Sequence, residues 1–283
     1  MADASPTLRR KVLGIEMRRL REAAAVTPAD AGSVLEVSDS TIYRIEKGRV
    51  GIKPRDVEAL LNRYGVTEVD DQDRLKQLAK EGKQRGWWAK HRGSLTAPYA
   101  NYIGLEVEAR ALLTYDALVI PGLLQTEAYA RALYGSAAEL ATASQIENRV
   151  RVRMARQDRL RGENPIHLSA VIDEAVIRRM IGGPDVMAAQ LKHLAEAVQA
   201  PHVRLWVLPL AGGTNPGAIT SFAIMEFEEA DLKIVYIEGL NGDMWEEDDD
   251  ADRYYAVYNH LRAASLPPTE SLRLIESVAK ELA

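Results

Sequence analysis

The sequence predicts an α+β protein: an all-α N-terminal domain followed by a mixed α/β C-terminal domain with about four strands. Three observations carry this. Over residues 13–64 apolar side chains recur at the 3.6-residue period of short amphipathic helices with almost no connecting chain. Beyond residue 166 the apolar period shortens to 2. The length, 283 residues, leaves about 220 beyond the first helical group, enough for a sizeable second domain.

In the first helix Leu13, Met17, Leu20 and Ala24 fall at i, i+4, i+7 and i+11 on one face, leaving Arg18, Arg19, Arg21 and Glu22 for the remaining positions. Thr27 is an N-cap, Pro28 suits the first helical position, and Asp30 closes a short capping box, so a second helix starts at about residue 28. Its end, Val34, Leu35 and Val37, is expected to be buried against Ile42 and Ile45 of a third helix, capped by Ser38 and terminated by Gly48. A fourth ends in Leu60-Leu61-Asn62-Arg63-Tyr64. Two capped helices joined by a tight turn have the shape of a helix-turn-helix DNA reader.

With Ile42 and Ile45 turned inward, Asp39, Ser40, Tyr43 and Arg44 must face outward. On a helix lying in the major groove, Arg44 can fork onto guanine O6 and N7, Ser40 can bond to several bases, and Asp39 can accept from cytosine N4. Backbone N–H groups at the Thr27 and Ser38 helix starts suit phosphate oxygens, and Lys47, Arg49 and Lys53 add charge. The candidate DNA-binding set is Thr27, Ser38, Asp39, Ser40, Thr41, Tyr43, Arg44, Lys47 and Arg49. Charge agrees in sign: residues 1–65 hold 12 Lys and Arg against 9 Asp and Glu, a balance of +3, and the remainder 24 against 32, a balance of −8. A helical bundle with a merely solvated third helix is the competing reading.

These residues carry a resemblance. The segment Leu13 to Val66, and most closely the run Ser38-x-Ser40-Thr41-Ile42-x-Arg44-Ile45-Glu46-x-Gly48, resembles the helix-turn-helix domains of the lambda repressor and Cro type, the XRE family. The resemblance implies base-reading roles for Asp39, Ser40 and Arg44 and a phosphate-contacting start at Thr27. Pro28 stands where such domains often have glutamine, and Glu36 where the turn often has glycine. At positive φ, Glu36 would cost about 1 kcal/mol.

The expected boundaries are 1–66 for the DNA-binding domain, 67–98 for a linker and interdomain helix, and 99–283 for a regulatory, partner-binding domain. Without cysteine, neither a disulfide nor a thiolate metal site can form. There is no apolar signal segment and no run of about 18 apolar residues, so a cytoplasmic protein is expected. Trp87 and Trp88 are read as packing one domain on the other, rather than as a stacking platform beside Lys90, His91 and Arg92. An amphipathic helix is expected from Tyr102 to Leu113, another at Glu127–Leu133 capped by Thr126, and a third from about Ser144 to Arg161. The third carries six arginines at 149, 151, 153, 156, 159 and 161 and a Glu147–Arg151 pair. Such a face is either solvated and internally paired or meets an anionic ligand or partner. Strands follow at 166–172, 203–208, 221–227 and 233–238, the last two as a hairpin; a helix from Asp185 to Val198 separates the first two, and two helices close the chain.

Residues 86–283 also resemble a family, the C-terminal part of actinobacterial two-domain regulators of the WhiJ-like group, a domain of unknown function. The matching motifs include Pro121-Gly122-Leu123-Leu124-Gln125-Thr126 with Tyr129-Ala130-Arg131, Arg156-Gln157, Asp173-Glu174-Ala175, Gly182-Gly183-Pro184, Gln190-Leu191 and Tyr236-Ile237-Glu238. The resemblance implies a regulator encoded beside a small partner protein, in an antitoxin-like pair.

Enzyme signatures are missing. The five histidines form no His-x-x-x-His pair, no Gly-x-Ser-x-Gly elbow occurs, and Gly212–Gly217 lacks the Lys-Ser/Thr ending of a phosphate loop. Asp173 and Glu174 are adjacent and diverge, and the acidic run 246–250 reads as stabilising a helix start. No catalytic residue, metal or cofactor is assigned. The expected function is a sequence-specific, dimeric, non-membrane transcriptional regulator binding operator duplex, its second domain taking a partner protein or ligand. The alternatives are a protein-interaction module with the helix-turn-helix as scaffold, or a small-molecule sensor.

Overall fold

The computed structural model describes residues 5–84, 86–136, 141–212, 220–228, 232–237, 244–247 and 249–282. The chain divides into two compact units, Met1–Ala89 with Ile103–Glu108, and Lys90–Tyr102 with Ala109–Ala283.

The first unit is built on α1 (Pro6–Ala23), α2 (Pro28–Leu35), α3 (Asp39–Glu46), α4 (Pro54–Arg63) and α5 (Val69–Glu81). Three of these open on proline, which sacrifices no helical hydrogen bond at that position. The first helix begins seven residues before Leu13: Ser5 caps it, and Leu8 and Val12 extend the buried stripe of Leu13 and Met17. In the segment expected to be linker and interdomain helix, α5 packs on α1 and α4, with Arg9 Nε 3.0 Å from Glu81 Oε2. Trp88 is buried and meets Trp87 edge-on at 6.0 Å.

Two expectations about this core need correction. Val34 and Val37 are exposed, because the buried stripe of the two-turn α2 runs through Ala31 and Gly32, and Val34 lies beside it. Arg21, assigned above to the outer face, is buried, four residues after Met17 on the same stripe.

The second unit contains a six-stranded sheet, β1 (Ala111–Asp116), β2 (His167–Asp173), β3 (Val203–Leu208), β4 (Phe222–Glu226), β5 (Lys233–Ile237) and β6 (Met244–Glu247), in the order β3-β2-β1-β4-β5-β6. The three strands β1, β2 and β3 run parallel, and β4, β5 and β6 are antiparallel to their neighbours. The parallel pairs require crossovers, supplied by α7 (Glu127–Gly135) and α8 (Ala143–Arg156) after β1, and by α9 (Glu174–Arg178) and α10 (Pro184–Ala197) after β2. The expected β4–β5 hairpin is present.

The helix expected from Tyr102 to Leu113 ends early. Its start is α6 (Ala97–Glu106), but residues 111–116 are β1, hydrogen-bonded to strands on both sides. A strand so placed takes its conformation from its partners, which local periodicity cannot report. The Glu147–Arg151 pair is also replaced: Glu147 binds Arg131 of α7 at 2.8 and 3.0 Å.

One face of the sheet is covered by α11 (Asp249–Ala264), where Tyr115, Ile224, Val235, Tyr258 and Leu261 form a core. The last helix, α12 (Pro268–Glu281), packs on β3 and α10. No helix among the described residues is long and apolar enough to cross a membrane. The readings made for residues 213–217 and for the side chains of 246–250 lie outside the described residues.

Candidate functional site

The helix α3 of the first unit is held from three directions. Thr27 Oγ1 accepts from Asp30 N at 3.1 Å and Asp30 Oδ2 accepts from Thr27 N at 3.3 Å, so the expected capping box fixes the start of α2. The hydroxyl of Thr27 also donates to that carboxylate, and these bonds hold Asp30 below the usual Asp pKa. At the other end Glu36 takes the left-handed conformation, φ 55°, and Val37 N donates to Gly32 O at 2.9 Å. A Cβ on Gly32 would lie 2.6 Å from Val37 O, so the chain turns there only with glycine. Ser38 then caps α3 by accepting from Thr41 N, with the two hydroxyls 3.0 Å apart.

The third hold was missed in the sequence. Arg21 of α1 grips Glu46 at the end of α3 in a two-pronged pair, Nε to Oε1 at 2.6 Å and Nη2 to Oε2 at 3.0 Å, and Nη1 donates to Val26 O at 3.0 Å. Both side chains are buried, and the bond to Glu46 raises the Arg21 pKa, so the guanidinium stays charged. One guanidinium thus ties α1, the chain entering α2, and the end of α3. Beside it, burial pushes the Tyr64 phenol up to about 12, with the Glu46 charge adding to the shift. The signal was available: Glu46 stands in the motif of α3, and Arg21 on the stripe of Met17.

With Ile42 and Ile45 inward as expected, Asp39, Ser40, Tyr43 and Arg44 all lie exposed on the outer face of α3. Tyr43 keeps 51% of its surface exposed, unusual for so large a ring. Asp39 Oδ1 accepts from Ser40 N at 2.7 Å, which commits one of its oxygens to the helix start. Thr27, Ser38 and Arg49 are exposed, and Thr41 and Lys47 are half-buried. The carbonyl of Lys47 accepts from Lys11 Nζ at 3.3 Å.

The second unit holds a cavity of about 330 Å³ against the sheet face opposite α11. Its floor is Leu112, Thr114 and Asp116 of β1, flanked by Leu168, Ala223 and Tyr236 from neighbouring strands; Thr114 stands opposite Ala223, and Ala223 opposite Tyr236. One wall is the loop 118–123 after β1, which buried amides support: Gln125 Nε2 donates to Ile120 O at 2.7 Å, Gln190 Nε2 to Leu124 O at 2.7 Å, and Gln190 Oε1 accepts from Thr126 N at 2.7 Å. The facing wall is Arg153 and Arg156 of α8 with Tyr99, Tyr102 and Tyr134. Of the six arginines read on α8 and beyond, Arg149 donates to Ser94 O, Arg159 to Ala109 O, and Arg151 and Arg161 are exposed.

Asp173 caps α9 by accepting from Ala175 N, and Glu174 accepts from Leu210 N and binds Arg178, which holds the Glu174 pKa below its usual value against the opposing effect of burial. Among the described residues no three His, Asp or Glu side chains are grouped to hold a metal ion.

Comparison with known proteins divides the chain in the same sense. Residues 12–75 match a family described as a helix-turn-helix domain, which marks a DNA-binding regulator. No curated protein and no solved structure matches the chain. Residues 99–277 match a family described as a domain of unknown function, and since that match covers more than half of the sequence, the chain belongs to the DUF5753 family and carries a helix-turn-helix domain at its N-terminus.

Proposed function

We propose that this chain is a sequence-specific transcriptional regulator that reads duplex DNA with α3, and whose DUF5753 region takes an effector that modulates the reading. The outer face of α3 carries the proposal. It presents Asp39, Ser40, Tyr43 and Arg44 together on a helix that a capping box, a tight turn and a buried ion pair fix in place. A rigid helix is what base readout needs, because a bidentate arginine contact discriminates by about 1–3 kcal/mol only when its geometry is held.

In this reading Arg44 takes guanine, Ser40 and Asp39 read neighbouring bases, and Tyr43 lies along the groove wall. The exposed N–H groups at the starts of α2 and α3, near Thr27, Ser38 and Thr41, meet phosphate, with Lys47 and Arg49 beside them. The protein acts as a homodimer on two half-sites about 34 Å apart, since one such module buries little surface on DNA. Membership of the XRE and WhiJ-like groups and a small partner protein in an antitoxin-like pair belong to the same proposal, supported by the motif resemblance; so do a cytoplasmic location and a non-enzymatic role, which rest on the sequence reading of signal segments and catalytic motifs.

Selection from random duplex DNA near physiological salt, run in parallel on the full chain and on Arg44→Ala, tests it. Recovery of a two-part site, with weaker enrichment and relaxed preference at one base in the variant, is the expected result. Failure of the full chain to enrich any sequence, or identical sites from both proteins, refutes α3 as the reader.

A further inference from the structure

The cavity wall of the second unit holds two arginines, the buried Arg156 and the half-buried Arg153, and Arg153 is the informative one. Among the described residues its hydrogen bonding is limited to Nη2, which donates to the Tyr134 hydroxyl at 2.5 Å. Its Nε is buried with no hydrogen-bond partner. The guanidinium lies over the rings of Tyr134 and Tyr99, 5.3 and 5.9 Å from their centroids, and is drawn close to the opposite wall: a Cβ on Gly122 would sit 2.4 Å from Nη1. Tyrosine faces stabilise a guanidinium but do not neutralise it. Burial pushes the Tyr134 phenol up to about 12, so it remains neutral.

The rest of the cavity is complementary to an apolar body. Leu112, Leu123, Leu168 and Phe222 line it, and Leu118, also in the lining, leaves 62% of its surface exposed. The ionisable lining is Arg153, Arg156 and Asp116, a formal balance of +1 before any tyrosine ionises. The position in the fold agrees. The chain leaves β1 for β2 and β3 on one side and returns to β4 on the other, so the loop after the carboxyl end of β1 stands where the strand order reverses, the place where open α/β sheets hold ligands.

We propose that this cavity binds a small hydrophobic monocarboxylate, its anion on the Arg153 guanidinium and its apolar body between the tyrosines and the β1 floor. This identifies the chemistry of the effector and rests on the reading of the DUF5753 region as the effector-binding part. The volume is at the small end of ligand sites, which suits a body of two fused rings. Binding places an acceptor beside Nη1, which the described residues themselves do not supply.

The test needs no DNA, so it stands or falls apart from operator selection. Calorimetric titration of the full chain with 2-naphthoate and with 2-naphthamide compares an anion with its neutral analogue of nearly the same shape. One molecule per chain is expected, with naphthoate binding about tenfold or more tighter, the worth of one charge-assisted hydrogen bond. Arg153→Met should bring the two affinities together, and Arg153→Lys should keep most of the preference. Equal affinities in the unaltered chain, a preference that survives Arg153→Met, or binding of neither compound at millimolar concentration overturns the proposal; the comparison on the unaltered chain decides even if Arg153→Met does not fold.

Discussion

The first unit buries Arg21 and the second half-buries Arg153, and the two are answered in opposite ways. Arg21 meets a buried carboxylate two-pronged and a backbone carbonyl, so each of its nitrogens that faces protein is used. Arg153 meets aromatic rings and one phenol, and leaves a buried Nε without an acceptor. A charge completed inside the protein is structural: it costs desolvation, returns it through its partner, and fixes one geometry. A charge left incomplete at the edge of a cavity has capacity for something else. The first unit is thus built to hold a surface still, and the second to leave an interior unfinished.

The strongest way to break this comparison is to remove each arginine and measure stability. Arg21→Met strands Glu46 in the core and should cost about 3–5 kcal/mol in urea unfolding. A loss below 1 kcal/mol would mean that the pair does not secure α3. Next in size is Arg44→Ala, expected to weaken binding to a selected site by about 1–3 kcal/mol while leaving unfolding within about 0.5 kcal/mol of the parent. Loss of both together would place Arg44 in the framework rather than on the reading face. Arg153→Met, in contrast with Arg21→Met, strands no carboxylate partner and should change stability by about 1 kcal/mol or less. A cost equal to that of Arg21→Met would remove the distinction between the two regions. The smallest effect is at the turn: Glu36→Gly relieves the left-handed residue and should stabilise by about 0.5 kcal/mol, the strain relieved exceeding the entropy lost. Destabilisation would show that the Glu36 side chain contributes more than its backbone strain costs.

What could be seen in the sequence was local. Thr27, Pro28, Asp30 and Ser38 act within four residues of their partners, so the starts of α2 and α3 were legible, as were the inward Ile42 and Ile45 that left Asp39, Ser40, Tyr43 and Arg44 outside. What was hidden depended on distant chain. Glu46 lies 25 residues from Arg21, and a charged side chain on a helix is by habit assigned to solvent. The strand β1 reads in the sequence as the end of a helix because Ala111-Leu112-Leu113 suits either state, and its partners lie more than 50 residues away. The arginines of α8 were seen as a group, but three different fates, paired to backbone, stacked on tyrosine or exposed, follow from what packs beside each. The cavity itself has no signature in one sequence. Its lining comes from β1, the loop after it, α6, α7, α8 and three other strands.

Amide hydrogen exchange of the full chain, with and without a mixed-sequence duplex at low salt, tests the central claim most directly. Nonspecific binding is electrostatic and strengthens as salt is lowered, so no operator is needed. Slowed exchange at the N-terminal turns of α2 and α3, with β1 and α8 unchanged, is the result predicted for a reading surface confined to the first unit. Protection centred on the second unit, or none anywhere in the chain, would contradict it.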